Sequence, residues 1–242
     1  VTGRLKDRIA LITGASRGIG AEVAHRFALE GAHVVLVART RGGLEDVDDR
    51  IRAELKIAPD EDSPVTLLEL DLTDLDAVDR IGPTIAQRFG KLDIVVGNAG
   101  LLGEMSPMHH IATDVWTEVV DVNLNANWRL IRTTDPLLRQ SDAGRAVFVT
   151  SGAAHGKRPY WGAYAVTKAA LEMMVSCWAA ETEETAMRIN LLDPGATRTT
   201  MRADAYPGED PSTVKPPEDI AGAFTQLCSP GCEQHGDLIR VY

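Results

Sequence analysis

The sequence predicts an α/β protein, a single doubly wound parallel sheet of about seven strands with helices on both faces. Three observations carry this. Short apolar runs alternate with longer amphipathic stretches along the whole chain, the pattern of βαβ units around a buried parallel sheet. The first run, residues 8–13, passes straight into Gly14-Ala15-Ser16-Arg17-Gly18-Ile19-Gly20 and then into a helical stretch. Strand, glycine turn and helix in that order make a dinucleotide-binding unit. Finally, 242 residues at 44 % hydrophobic and 25 % charged suffice for one sizeable core, so residues 1–242 are expected to form a single domain.

The elements follow in order. Residues 8–13 are a buried strand, and residues 21–30 a helix with Val23, Phe27 and Ala28 on one face. The glycines between them permit a tight turn and close backbone approach to a pyrophosphate at the positive helix N-terminus. Gly31 ends the helix and residues 33–38 form the second strand. At the end of such a strand a carboxylate binds the ribose 2′-hydroxyl of NAD, whereas an arginine accommodates the 2′-phosphate of NADP. Here Ala38-Arg39-Thr40-Arg41 offers no acid, and Arg17 in the glycine turn is near enough to share the phosphate. NADP is the expected cofactor.

Residues 43–57 read as a charged helix and 58–64 as a polar loop with a breaker at each end. A third strand at 65–70 closes on Asp71-Leu72, and a helix is expected over 74–89, with Leu75, Val78, Ile81 and Ile85 at helical spacing despite Gly82 and Pro83. The fourth strand, 92–96, closes on Gly97-Asn98-Ala99-Gly100, whose small side chains let a ligand lie close to the sheet edge. Residues 103–110 are loop. One long helix is expected over 112–138, with Asn123 and Asn127 among apolar neighbours; a buried asparagine must be hydrogen-bonded. The fifth strand, 145–150, ends at Ser151, where the ligand crevice of an open α/β sheet lies. A helix from 162 or 163 to about 184 carries Tyr164 and Lys168. The sixth strand, 187–192, ends in Asp193-Pro194-Gly195. Residues 197–217, rich in proline and charge, are expected to be a long loop acting as lid or specificity segment. A helix at 218–228 and a strand at 237–242 complete the sheet.

Tyr164-Ala165-Val166-Thr167-Lys168 carries the chemistry. Residues four apart share a helix face, so the phenol and the ammonium can enter one site. A cation ~4 Å away at an effective dielectric of ~20 favours a phenolate by roughly 4 kcal/mol, about three pH units. The expectation is a tyrosine whose pKa is lowered, able to give or take a proton. The same spacing also occurs on ordinary helix surfaces.

The formal net charge of −10 argues against a nucleic-acid or anionic-membrane surface. No apolar run reaches the ~20 residues of a membrane span, and residues 1–6 lack the apolar core of a signal peptide, so the expected location is the cytoplasm. Cys177, Cys228 and Cys232 are few and odd in number, with no disulfide framework, and no metal site is expected.

With these residues in view, the chain resembles a short-chain dehydrogenase/reductase over nearly its whole length. The landmarks are Thr13-Gly14-x-x-x-Gly18-Ile19-Gly20, Asp71, Asn98-Ala99-Gly100, Asn123, Ser151, Tyr164-x-x-x-Lys168 and Pro194-Gly195 with Thr199. The resemblance implies a Rossmann fold and a catalytic set of Asn123, Ser151, Tyr164 and Lys168. Tyr164 would be the acid/base, Ser151 would hydrogen-bond the reacting oxygen, Lys168 would lower the tyrosine pKa and bind the nicotinamide ribose, and Asn123 would hold a water linking Lys168 to solvent. The implied cofactor set is Gly14, Ser16, Arg17, Gly18, Ile19, Gly20, Arg39, Asp71, Leu72, Asn98, Ala99, Gly100, Tyr164, Lys168, Pro194, Gly195, Thr197 and Thr199. Asp71 is similar to the adenine-binding acid and Thr199 to the residue that binds the carboxamide. Gly97 stands where many relatives carry asparagine, and the glycine-rich tail that often follows the last strand is absent.

The function implied is hydride transfer between NADP(H) and a carbonyl or alcohol, with carbonyl reduction preferred, by a homodimer or homotetramer acting on a small molecule. The alternatives are an NAD-linked alcohol dehydrogenase and a nonenzymatic NADP-sensing protein on the same fold. Met105, His109, His110, His155 and Trp161 are expected to border the nicotinamide end. Lys157 and Arg158 are either solvated charges or an attractor for an anionic substrate group.

Overall fold

The computed structural model describes residues 3–58 and 60–242; Val1 and Thr2 of the chain start, and Pro59, the first breaker of the 58–64 loop, lie outside the described residues. Seven short apolar runs pair into one parallel sheet. They are β1 (Ile9–Thr13), β2 (His33–Ala38), β3 (Val65–Glu69), β4 (Ile94–Gly97), β5 (Arg145–Val149), β6 (Arg188–Asp193) and β7 (Leu238–Arg240), in the order β3-β2-β1-β4-β5-β6-β7. The order reverses between β1 and β4, so the crevice beyond their carboxyl ends is where a ligand belongs in this fold.

Strand side chains alternate between the two faces, and each face has its own core. Ile12, Leu36, Val96 and Val147 face α1 (Gly18–Leu29), α2 (Arg41–Leu55) and, from the chain's end, Glu218–Cys228, through Phe27, Ile51 and Phe224. Leu11, Val35, Val95, Phe148 and Leu191 face the helices of the middle of the chain. Complete burial of each such side chain stabilises by about 1.5–3 kcal/mol.

The helix expected over 74–89 is two, α3 (Leu75–Asp79) and α4 (Ile81–Phe89), meeting at Arg80. Pro83 has no N–H for the Asp79 carbonyl four residues back, and Thr133 Oγ1 donates to that carbonyl instead, at 2.7 Å. The stretch 112–138 is α5 (Thr113–Val120), one π turn at Asp121–Asn125, and α6 (Ala126–Leu138). The wider turn frees backbone carbonyls, and the Asn127 amide donates to Asn123 O at 2.9 Å. α7 (Gly162–Glu181) buries Tyr164, Lys168, Leu171, Val175 and Trp178 at helical spacing, and Trp178 Nε1 donates to Asp135 Oδ1 at 2.8 Å.

The 197–217 segment is not the irregular loop expected. Thr199 caps α8 (Thr200–Ala205) by accepting from Arg202 N, and Asp210 caps a 3₁₀ turn at Pro211–Thr213. A Thr197–Lys215 bridge closes the segment's base. Local capping gives short helices to a stretch too polar for the core. Glu218–Cys228 is then α9. Among the described residues, no helix is long and apolar enough to cross a membrane.

Candidate active site

A cleft of about 440 Å³ opens along the carboxyl ends of β1, β2, β4, β5 and β6. At its floor the chain turns from β1 into α1. Gly14 has φ +65°, and a Cβ there would come within 2.9 Å of Ala99 Cα. Gly20 sits against Gly14 O and Asn98 Nδ2 with no room for a side chain. Asn98 ties the two strand ends together, donating to Thr13 O at 3.0 Å and Gly14 O at 3.3 Å. The turn thus presents bare backbone at a helix N-terminus, which fits a pyrophosphate.

Ser16, Arg17, Gly18, Ile19, Arg39, Asp71, Leu72, Asn98, Ala99 and Gly100 line one part of the cleft, with Gly14 beneath them. Pro194, Gly195, Thr197 and Thr199 line the other, beside Ser151, Tyr164 and Lys168. Gly20 and Asn123 are buried behind the wall. Arg17 and Arg39 are exposed; Arg39 Nη1 lies 3.8 Å from Glu118 Oε1, with both side chains half exposed. Asp71 makes a local turn, its Oδ1 accepting from Thr73 N and Oγ1 at 2.9 Å each. Val37, Ala38, Thr40, Leu101, Leu102, Val122, Thr200, Met201 and Arg202 also line the cleft; several of them immediately follow strand ends already singled out, which is the signal that sequence reading passed over.

At the centre, Tyr164 is buried and faces Ser151. Ser151 caps its own 3₁₀ turn, Gly152–Ala154, by accepting from Ala153 N at 3.2 Å. Lys168 is buried as well, and its Nζ donates to Val149 O at 2.8 Å. Asn123 Oδ1 accepts from Leu101 N at 2.7 Å while its Nδ2 donates to Leu101 O at 2.9 Å and to Thr167 Oγ1 at 3.1 Å. Thr167 Oγ1 donates on to Tyr164 O at 2.9 Å. The π turn therefore clamps both the segment after β4 and the turn of α7 that holds the tyrosine.

The electrostatics correct one expectation. The Tyr164 pKa is pushed up to about 12 instead of down, first by burial; the Ser151 hydrogen bond opposes this, and the carboxylate of Asp193 adds to it. The Lys168 ammonium lies 5.7 Å from the tyrosine ring centre and donates to the Val149 carbonyl. Burial pushes Lys168 itself down to about 8, partly offset by Glu172. The phenol is protonated throughout the neutral range.

Over the centre, Trp161 packs edge-on against Tyr164 at 5.9 Å and tilted against Tyr206 at 5.8 Å. Arg158 lies on the Trp161 ring and donates to Tyr206 Oη at 3.0 Å. Arg202 stacks on Tyr206 at 3.8 Å and is paired with Glu209. Arg158, itself exposed, thus ties the 197–217 segment to the 155–161 loop. Of the residues expected at this end, Trp161 lines the cleft and Met105, His109, His110 and His155 stand outside its wall.

The sheet order and this cleft together define a dinucleotide-binding fold of the doubly wound class. The family model described as short chain dehydrogenase matches residues 8–210, and the chain belongs to that family, the short-chain dehydrogenases/reductases. It is 41 % identical over 223 residues to the uncharacterized oxidoreductase YciK of Escherichia coli, covering 92 % of this chain and 86 % of that one. A crystal structure of a short chain dehydrogenase from Escherichia coli CFT073 complexed with NADPH superposes with a TM-score of 0.92 at 38 % identity, covering 99 % of this chain and 98 % of the other. An uncharacterized NAD-dependent oxidoreductase of Mycobacterium tuberculosis is 33 % identical over 210 residues, 82 % of this chain and 74 % of its own.

Proposed function

We propose that the protein is an NADP(H)-dependent carbonyl reductase. The observation that carries the reading is the convergence of Ser151, Tyr164 and Lys168 at one end of a cleft whose other end offers Arg17 and Arg39 and no strand-end carboxylate. The likeness to a structure complexed with NADPH supports the same choice.

In this reading the glycine turn holds the pyrophosphate, Arg17 and Arg39 the 2′-phosphate, and Asp71 with Leu72 borders the adenine. Thr197, Thr199, Pro194 and Gly195 border the nicotinamide, and Lys168 its ribose. The bound cofactor supplies hydride to the carbonyl carbon. Ser151 donates a hydrogen bond to the carbonyl oxygen and fixes it beside Tyr164. As negative charge grows on that oxygen, the Tyr164 O–H bond breaks and its proton completes the alcohol. The tyrosinate left behind is stabilised by the Lys168 ammonium and regains a proton from solvent, the step assigned to the Asn123 side. A phenol kept protonated suits reduction, which begins from the acid form.

Residues 1–242 act as one domain in this account. The exposed side chains of Val166 and Met173 on α7 and Trp128 on α6 support a homodimer or homotetramer, and three free cysteines fit a cytoplasmic, reducing location.

The test is NADPH oxidation with a panel of ketones and aldehydes by wild type and Tyr164→Phe. Turnover lost in the variant with NADPH still bound supports the reading; equal rates in both overturn it. NADPH and NADH affinities of wild type and Arg39→Asp decide against the NAD-linked alternative if the variant moves toward NADH. NADP binding without turnover in wild type returns the nonenzymatic one.

A further inference from the structure

Tyr164 and Lys168 lie one turn apart on α7, and a third polar side chain, Glu172, lies one turn further along the same face. Its carboxylate is 13 % exposed and is held from the strand side at both oxygens. Thr150 Oγ1 donates to Oε1 at 2.6 Å, and His155 Nε2 lies 2.9 Å from Oε2. These partners stand one residue before Ser151 and four after it. The neighbouring contacts repeat the pattern. Val149 O accepts from Lys168 Nζ and Thr150 Oγ1 donates to Glu172, while Ser151 faces Tyr164. Consecutive residues at the end of β5 are thus set against residues of α7 spaced four apart, and His155 closes the far end of the Ser151 turn onto the same carboxylate.

We propose that Glu172 is a positioning residue of the catalytic centre: it pins the Ser151 turn to α7 through Thr150 and His155 and places a negative charge one turn from the Lys168 ammonium. The proposal rests on the reductase reading for its kinetic part and on the hydrogen bonds alone for its structural part. A hydroxyl must sit within a few tenths of an ångström of the carbonyl oxygen for the reaction to profit from it, and Ser151 is on a turn, not on a rigid element. Glu172 supplies the rigidity.

Farther along α7, Asp135 of α6 accepts from Trp178 Nε1 and His235 Nε2 lies 2.8 Å from Ala179 O. His155 faces Glu172 from the turn after β5, and Lys168 from the helix itself. On β6, Asp193 acts on Tyr164, while Arg188 at the opposite end is bonded to Thr185 O and Met187 O. From the π turn, Asp121 is held by Asn125, and on α5 Glu118 pairs with Arg39 and Asp114 accepts from Val115 N. The charge on Glu172 supports the protonated state of Lys168 against the burial that opposes it.

Three variants separate brace from charge. Glu172→Gln keeps an oxygen for Thr150 and drops the charge; Glu172→Ala removes both; His155→Ala removes the exposed partner alone. Amide hydrogen exchange of residues 150–156, NADPH affinity, and the pH dependence of kcat and KM are measured on the full chain. In Glu172→Ala, exchange at 150–156 rises about 10-fold and kcat falls about 10-fold, with NADPH affinity within about 2-fold of wild type. Glu172→Gln keeps most of the protection, while its alkaline limb of kcat/KM moves down by about half to one pH unit. Wild-type exchange and kcat in Glu172→Ala overturn the brace, and an unmoved limb in Glu172→Gln overturns the charge. If Glu172→Ala does not fold, His155→Ala decides the brace, which requires faster exchange at 150–156 in a folded protein. Altered exchange in a protein that reduces no carbonyl supports the brace and overturns the reductase reading, so the two fail separately.

Discussion

Replacing Lys168 by methionine should raise the protein's stability at neutral pH while destroying its activity. Methionine matches the lysine stem in length and apolar character, so the helix face refills with little change in volume. What disappears is a buried ammonium. Its pKa is pushed from 10.5 to about 8, chiefly by burial, and at 1.36 kcal/mol per pH unit that drop corresponds to about 3 kcal/mol of destabilisation at pH 7. Against this, the Val149 carbonyl loses its 2.8 Å donor, which costs about 1–3 kcal/mol for a buried group left unsatisfied. The net gain at pH 7 is therefore about 0–2 kcal/mol, a rise in Tm of up to about 4 °C for a chain of this length.

The pH dependence is the sharper readout, because the carbonyl is lost equally at every pH. A lysine whose folded pKa is lowered leaves the unfolded chain holding more protons between about 8 and 10.5, so wild-type stability gains a rising contribution across that window. The variant lacks it. Urea unfolding of both proteins at pH 7 and pH 10 should show the variant's advantage shrinking by about 2.5 kcal/mol. The raised Tyr164 pKa acts in the opposite sense, with stability lost as pH climbs from 10 toward about 12, and it is common to both proteins. A difference between the two proteins that stays constant from pH 7 to pH 10 would refute the burial argument, and retained turnover would refute the role of the ammonium.

Gly97 leaves no room for a side chain beside the Phe148 ring, with Asn127 Oδ1 3.0 Å from where a Cβ would stand; Gly97→Asn should cost about 1–3 kcal/mol, and Phe148→Val should recover part of that loss in a double-mutant unfolding cycle. Arg158→Ala should leave Tm within about 1 °C, since the residue is exposed, yet raise KM for a carbonyl substrate about 3- to 10-fold with NADPH affinity unchanged, because the Tyr206 hydroxyl and the Trp161 ring lose their tie. Steady-state rates in both directions should be asymmetric in pH: with Tyr164 at about 12, reduction stays near level from pH 6 to 8 while alcohol oxidation rises as pH increases, and a level oxidation profile would count against Tyr164 as the base.

What could be read from the sequence was whatever depends on neighbours along the chain. The seven apolar runs, the glycine turn after β1 and the strand-end positions of Ser151 and Asn98 follow from local pattern and from the rule that ligands sit at the carboxyl edge of such a sheet. The features that escaped depend on residues far away in sequence. Pro83 broke a helix because Thr133 was present to take the Asp79 carbonyl. Asn123 lies in a π turn because Asn127 and Leu101 satisfy the groups such a turn releases. The direction of the Tyr164 shift escaped for the same reason. Spacing puts Lys168 on the tyrosine's face, but only the fold reveals that its Nζ also bonds Val149 O and that both groups are buried.

That reversal bears on what the centre can do. A tyrosine lowered toward neutrality would serve either direction, whereas one held at about 12 has its proton in place before substrate arrives. Donation is still favourable. The oxygen of a carbonyl receiving hydride becomes far more basic than a phenolate, so the proton moves downhill. Taking a proton from an alcohol requires the phenolate first, and at pH 7 its formation costs about 7 kcal/mol at 1.36 kcal/mol per pH unit. The Lys168 ammonium, one of whose three donors goes to Val149 O, lowers that cost through its charge and its remaining donors. In the reductase reading the buried pair is therefore a loaded proton donor, with the lysine set beside the tyrosine by its bond to Val149 O.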